Sequence, residues 1–506
     1  MSDDARSIEK ICVVGGGTAG WIVAAMIGHY FGEQYAVTLV ESEEIGTIGV
    51  GESTIPPFLQ MLTRLGISES DFIRETQASF KLGIRFDDWR VKGDRYFHPF
   101  GKFGGPQAAV DPYQLWLRAR EGGSDLPLQS LAPASVMAAE NRFMLPFKAA
   151  QTPIGGASYA LHVDARRVAK FLRRFAEARG VVRQEGLIET VEHHGDRVDA
   201  LVLRGGQRVE ADLFFDCTGF RSMLIGQTLG VGFEDWGHLL LCDRAVVVQT
   251  ENVGPPPPYT LAAAQSAGWR WRIPLQHRTG NGHVFSSAHM EADEARAMLL
   301  DAVEGPTLTE PMLLKFRTGA RSEMWRGNVV AAGLAAGFIE PLESTAIHLV
   351  YRAVDMLFRY MPVSTSAPAL AREFNRRMMA DYVEIRDFLV AHYSLTRRDD
   401  TPFWRDVRAV EMPDSLLERL RLFEAAGAIP ETLDGLFNFG SWQSVLEGMG
   451  VHPRHPHPVV ARADPAVVGR DLDRTAAEIR RFVTGLPTHE QFIDQHCRAP
   501  SPELAA

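Results

Sequence analysis

The hydrophobic pattern changes period several times along the chain, and each change predicts an element. Residues 10–14 are a short β-rich run that stops at a cluster of glycines. Residues 18–30 follow with helical spacing, and the small side chains of Ala19, Ala24 and Ala25 allow close packing. A second strand is predicted over 35–40 and ends at Glu41. Residues 68–86 are read as one helix with Ser68 as its N-cap, followed by an aromatic-rich loop over 88–103. A helix is predicted over 168–179. Residues 187–216 alternate strand and turn, with Gly205-Gly206 as a hairpin signal. Strands are predicted over 244–250 and 283–287, on either side of a segment that begins with the proline-rich residues 255–258, and a buried strand over 328–332. Beyond Ser344 the period becomes helical, most clearly over 370–393 and 413–427, and the tail 500–506 is expected to be loose.

A chain of 506 residues can bury a large core and usually holds two or three folding units. The pattern divides it into an α/β body over 1–350 and a mainly helical cap over 351–506. A net charge of −10 without a long basic tract argues against nucleic acid and anionic membrane surfaces as partners. The first ten residues are polar, and no run of about 18 apolar residues occurs, so neither a signal peptide nor a membrane span is expected. Cys12, Cys217, Cys242 and Cys497 are scattered without C-x-x-C spacing, as expected of thiols in a reducing cytoplasm.

The glycine cluster fits G-x-G-x-x-G at Gly15, Gly17 and Gly20. Glycine lets the backbone turn sharply and lie against a pyrophosphate, and the helix start that follows, at Thr18 and Ala19, offers free N–H groups to it. Glu41 lies about 20 residues further on, at a strand end, where a carboxylate accepts from an adenosine ribose. Strand, glycine turn, helix, strand and acid occur in the order of a βαβ dinucleotide fold. Residues 213–220 and 327–337 resemble the two later segments that return to the cofactor in FAD monooxygenase-like folds. Leu334 stands where many monooxygenases have Asp, which speaks against an ordinary hydroxylase.

Further stretches occur in a fixed order: residues 49–56 (GVGESTIP), Lys81, His98-Pro99-Phe100, the run Trp269-Arg270-Trp271-Arg272-Ile273-Pro274, residues 341–345 (PLEST), and Arg386-Asp387-Phe388 with His392-Tyr393. Together with the glycine turn they make the chain resemble the flavin-dependent halogenases of the tryptophan-halogenase type over about residues 9–450. The resemblance implies an FAD-binding, Rossmann-like α/β body with mixed sheets and a helical cap. It implies that reduced FAD, delivered by a separate flavin reductase, and O₂ oxidise bromide or chloride to hypohalous acid. The acid then reaches an aromatic substrate held apart from the flavin. It further implies that Gly51, Ser53 and Leu334 join Gly15, Gly17, Thr18, Ala19, Gly20 and Glu41 at the cofactor.

By the same resemblance Lys81 is the catalytic lysine, either hydrogen-bonding the oxidant or forming a haloamine with it. Taken alone it would be a solvated lysine on the helix over 68–86. Glu343 matches the second catalytic group, a general base for the ring proton. Backbone N–H groups at Thr345 and Ala346 match the halide site. Alanine there, in place of the usual glycine, reshapes that site, and bromide is expected to serve at least as well as chloride. His98 and Phe100 match the pair that sandwiches an indole. Trp269 and Trp271 are read as a block between substrate and flavin, or as core indoles on a strand edge.

The resemblance thins over residues 433–452, where Phe437, Phe439 and Trp442 predict an aromatic, weakly polar pocket with Trp442 as a substrate contact. Indole or a related arene is therefore expected rather than free tryptophan. No metal is expected: the prolines between His452, His455 and His457 favour a turn over a ligand set. A cytoplasmic enzyme, monomeric or homodimeric, is the resulting expectation. A flavin monooxygenase acting on an aromatic substrate and a non-catalytic flavin sensor are the alternatives.

Overall fold

The structure, a computed structural model, describes residues 7–45, 51–104, 110–430 and 435–500. Gly49 and Val50 of the 49–56 stretch, the first two residues of the 433–452 segment and residues 501–506 of the tail lie outside the described residues.

Lys10–Val14 is the centre of a six-stranded sheet, pairing in parallel with Ala36–Glu41 on one side and Leu213–Asp216 on the other. Val329–Ala331 extends it beyond Leu213–Asp216, so both later segments do return beside the glycine turn. Parallel strands buried on both faces read as continuous apolar runs, which is why these four were legible. The Gly205-Gly206 turn joins two antiparallel strands, Arg197–Leu203 and Arg208–Glu210, as the sequence predicts.

A seven-stranded sheet carries the W-x-W-x-I-P run. Its strand Gly268–Pro274 lies between Thr260–Ala264 and Thr279–Phe285, so the two tryptophans sit mid-sheet and not on a strand edge. Trp269 and Trp271 alternate onto one face. Gly282, opposite Trp271, has no room for a side chain: a Cβ there would lie 2.1 Å from the indole.

A small third sheet unites Gly51–Ser53, Ala160–Asp164 and Ser79–Lys81. This corrects the sequence reading of 68–86. The helix is only Glu69–Thr76, capped by Ser68 and stopped by Gln77 at φ +56°. The chain then runs extended as Ser79–Lys81 and Gly83–Asp87, passing from the small sheet to the large one at Leu82. The expected loop over 88–103 also contains a strand, Arg95–Pro99, paired antiparallel to Gly83–Asp87.

From Ala346 onward the described chain contains helices and no strands. Ala346–Arg359 and the long helix Pro368–Ser394 come first. The last helix, His489–His496, returns to the strand that carries Lys81: His489 Nε2 accepts from the Phe80 N–H at 3.1 Å, while its Nδ1 lies 2.7 Å from the Pro256 carbonyl. The C-terminal region thus packs against the strand that carries Lys81. No helix among the described residues is long and apolar enough to cross a membrane.

Candidate active site

The glycine turn is shaped for a large anionic ligand. Gly15 has φ +114°, and a Cβ on it would meet the Cys217 carbonyl at 2.3 Å; one on Gly20 would meet the Gly15 carbonyl at 1.8 Å. Gly17 differs: a Cβ there would meet nothing within 4 Å. It N-caps Thr18–Phe31, a helix start with no side-chain cap and no acid in its first turn, so N–H groups and the positive dipole end face that space. Glu41 is held by Arg183 at 2.5 Å, and its Oε2 lies against Gly16. Thr18 bonds the Ala165 carbonyl, and Ala19 touches Gly333, which brings Leu334 and the short turn Gly333–Ala335 onto the start of this helix. Gly51 packs close to Gly280. Ser53, also expected at the cofactor, turns its hydroxyl to Thr260 at 3.2 Å, so its side chain is already engaged. Open volume at Gly17, uncapped N–H groups and a tethered carboxylate together fit FAD.

Lys81 is fully buried at the end of its strand, and not solvated on a helix as the pattern taken alone would have it. Its Nζ donates to the Thr54 carbonyl at 3.2 Å and to Ser344 Oγ at 3.1 Å, and stands 5.0 Å over the Phe100 ring. Burial lowers its pKa to about 7, against the opposing pull of Glu343. Ser344 was given no role by the sequence, and the only signal for it was its place next to Glu343.

Glu343 and Ser344 both have left-handed backbones, φ +68° and +62°. Two consecutive non-glycine residues there cost on the order of 1–3 kcal/mol each, and such strain persists where the surroundings enforce it. The kink sends the two side chains to different partners. Ser344 meets Lys81, while Glu343 lies between two imidazoles: His98 Nδ1 at 2.8 Å from Oε2 and His392 Nε2 at 3.1 Å from Oε1. Burial acts to raise the Glu343 pKa, but the two imidazoles outweigh it and hold it at about 2. His98 is therefore wired to Glu343, beyond any stacking role. His392, noted in sequence only as part of a helical segment, completes the arrangement.

Thr345 is buried and caps Ala346–Arg359; that helix start has no side-chain cap and no acid, and Ala346 is exposed. Around Lys81 the walls are apolar: Ile55, Phe100 and Ala160 form a small cluster touched by Leu436. Phe437 stacks on Phe388 at 3.7 Å, and Phe388 also contacts His98. Trp442 is fully buried behind Phe388, edge-on at 4.7 Å, with Arg419 over its other side. Phe439 is exposed. Of the three aromatics in this segment, Phe437 thus reaches the wall directly, Trp442 supports it, and Phe439 does neither.

The Trp269 indole donates to Glu340 Oε1 at 3.1 Å, and Tyr393 donates to the same oxygen at 2.6 Å. Burial pushes Glu340 up to about 7. His452 pairs with Glu447, and His457 caps a short turn, so these histidines serve local structure.

The chain matches the family described as tryptophan halogenase over residues 10–465. It is 33% identical to tryptophan 6-halogenase SttH of Streptomyces toxytricini, across 96% of this chain and 98% of that one. Its fold superposes on Xcc4156, a flavin-dependent halogenase from Xanthomonas campestris, with a TM-score of 0.94 and 43% identity, covering 98% of this chain and 100% of the other. BrvH, a flavin-dependent halogenase from Brevundimonas sp. BAL3, gives 0.92 and 41%, covering 97% and 99%.

Proposed function

Since this chain belongs to the tryptophan halogenase family and is a flavin-dependent halogenase, we propose that it halogenates an electron-rich arene of the indole type through hypohalous acid. The glycine turn, Glu41 and the Gly333–Ala335 turn hold the FAD. A separate reductase supplies it in reduced form, and with O₂ it provides the two-electron oxidation of halide. The uncapped helix start at Thr345 and Ala346 binds the halide through backbone N–H groups.

Lys81 then holds the electrophilic halogen. The reading is supported above all by its burial: a desolvated amine, fixed by Thr54 and Ser344 and facing the Phe100 ring, is placed to carry an oxidant toward an aromatic face. With a pKa near 7 it supplies both a free amine and an ammonium at neutral pH. Glu343 is the site's acceptor for the ring proton. Phe100, Phe388 and Phe437 give flat apolar surfaces, which suit an indole better than the charged end of an amino acid.

The test is to supply the purified chain with FAD, a flavin reductase, NADH, O₂ and bromide, and to offer indole and free tryptophan in parallel. Brominated indole, seen as the bromine isotope pair by mass spectrometry, is the expected product, with tryptophan converted far more slowly. Absence of bromide in any indole or phenol product would overturn the reading. NADH consumption by the chain without added reductase would overturn the two-component assignment.

A further inference from the structure

Leu436 and Phe437 line the apolar wall, yet residues 435–438 belong to no helix or strand. Their amides therefore have no ladder partner, and N–H groups removed from water must be bonded in some other way. One side chain does this for both. Glu384 Oε2 accepts from the Leu436 N–H at 3.2 Å, and its Oε1 accepts from the Phe437 N–H at 3.4 Å. A buried carboxylate is thus spent on consecutive amides that lie 52 and 53 residues away in sequence. Burial raises the Glu384 pKa, while the two amides and the Arg419 guanidinium favour the charged form.

The helix Pro368–Ser394 carries Glu384, Phe388 and His392 at four-residue spacing, so the three share one face. Along that face Glu384 holds the backbone of 436 and 437, Phe388 stacks on the Phe437 ring at 3.7 Å, and His392 meets Glu343 at 3.1 Å. The side chains on the two held amides point to different partners. Leu436 packs against Ile55, Phe100 and Ala160, beside Lys81, and Phe437 covers Phe388. Asn438 then caps the next helix, Phe439–Gly448, by accepting from the Ser441 N–H at 3.1 Å. The segment is pinned at this cap and, just before it, at Glu384.

We propose that Glu384 is a positioning residue for the arene: by holding the Leu436 and Phe437 amides it fixes the wall against which the ring lies, and so sets how tightly substrate is held. The role rests on the halogenase reading and adds to it a residue that touches neither substrate nor cofactor. A carboxylate is suited to it because both oxygens accept, one for each N–H. The Lys81 amine and the Glu343 carboxylate keep their own partners when the wall loosens, so binding is affected and the chemical step is not.

The experiment compares wild type, Glu384→Gln and Glu384→Ala in steady-state bromination of indole by the FAD-loaded enzyme with a flavin reductase, and in amide hydrogen exchange without turnover. Gln keeps the size of the side chain but has one acceptor oxygen, and its NH₂ faces the other N–H. We expect KM for indole to rise at least about tenfold in Gln, and further in Ala, with kcat within about twofold of wild type. Added acetate, which returns a carboxylate to the space left in Ala, should lower KM again. The peptide carrying 435–438 should exchange faster in both variants, while the one carrying Phe388 and His392 keeps the wild-type rate. An unmoved KM in Gln, or unchanged exchange at 435–438, overturns the proposal. So does a fall in kcat with faster exchange along Pro368–Ser394, which marks a role in the helix alone. The near-isosteric Gln variant carries the test if Ala does not fold. Wild type that makes no bromoindole overturns the substrate reading first, and exchange at 435–438 still decides whether Glu384 holds the segment.

Discussion

Burial acts strongly on Lys81. Its folded pKa of about 7 lies well below the ordinary 10.5, because burial penalises the ammonium more than Glu343 stabilises it. If the free amine carries the halogen, single-turnover halogenation rises as pH increases through about 7 and then levels off, and Lys81→Arg, which stays charged, loses activity by about 100-fold or more. A rate that falls across the same range, with Arg retaining activity, would assign the ammonium as hydrogen-bond donor instead. The same shift bears on stability. Between about 7 and 10.5 the unfolded chain binds more protons at this residue than the folded one, so its contribution makes the fold more stable as pH rises through that window. Denaturant titrations at pH 7.5 and 9.5 should show this slope in wild type and its loss in Lys81→Met. Glu343 gives a slope of the same sign in a lower window: its contribution is complete above the ordinary carboxylate value of 4.5 and is lost as pH falls toward 2.

At the level of elements, the glycine turn and the helix after it were readable because every requirement there is local. Gly17 gives a direct check. Its backbone is extended (φ −76°, ψ −175°) and its Cβ position is empty, so Gly17→Ala introduces no steric conflict in the protein itself. The variant should melt at the wild-type temperature without cofactor yet bind FAD at least about tenfold more weakly by fluorescence titration; unchanged affinity would remove the pyrophosphate from this turn. The helix predicted over 68–86 failed for an equally physical reason. Phe80, Leu82, Ile84 and Phe86 alternate with Lys81, Gly83, Arg85 and Asp87, a period of two that belongs to a strand. Merging it with the preceding helical turns placed Lys81 on a solvated face. The alternation puts it opposite the core-facing phenylalanines, on the side that the 341–345 kink approaches.

For the whole molecule, the strands that carry the site are tied to distant segments by contacts far apart in sequence. Glu343 reaches His98 across 245 residues, and Phe80 meets His489 across 409. Such pairings leave no mark in local patterning, which is why the order of short stretches identified the family while the roles of Ser344, His392 and Glu340 stayed hidden. The halide preference depends on the assembled site, where Ala346 is exposed at the helix start proposed to bind the halide. Equal bromide and chloride offered together should give at least as much brominated as chlorinated indole; mainly chlorinated product would contradict this. The kink at Glu343 and Ser344 has a consequence for engineering. One peptide unit sets the distance between the partner of the amine and the partner of the imidazoles, so the two halves of the reaction cannot be retuned separately there. Libraries aimed at new arenes should leave 341–345 and Phe388, which packs on both imidazoles, fixed and diversify Phe437.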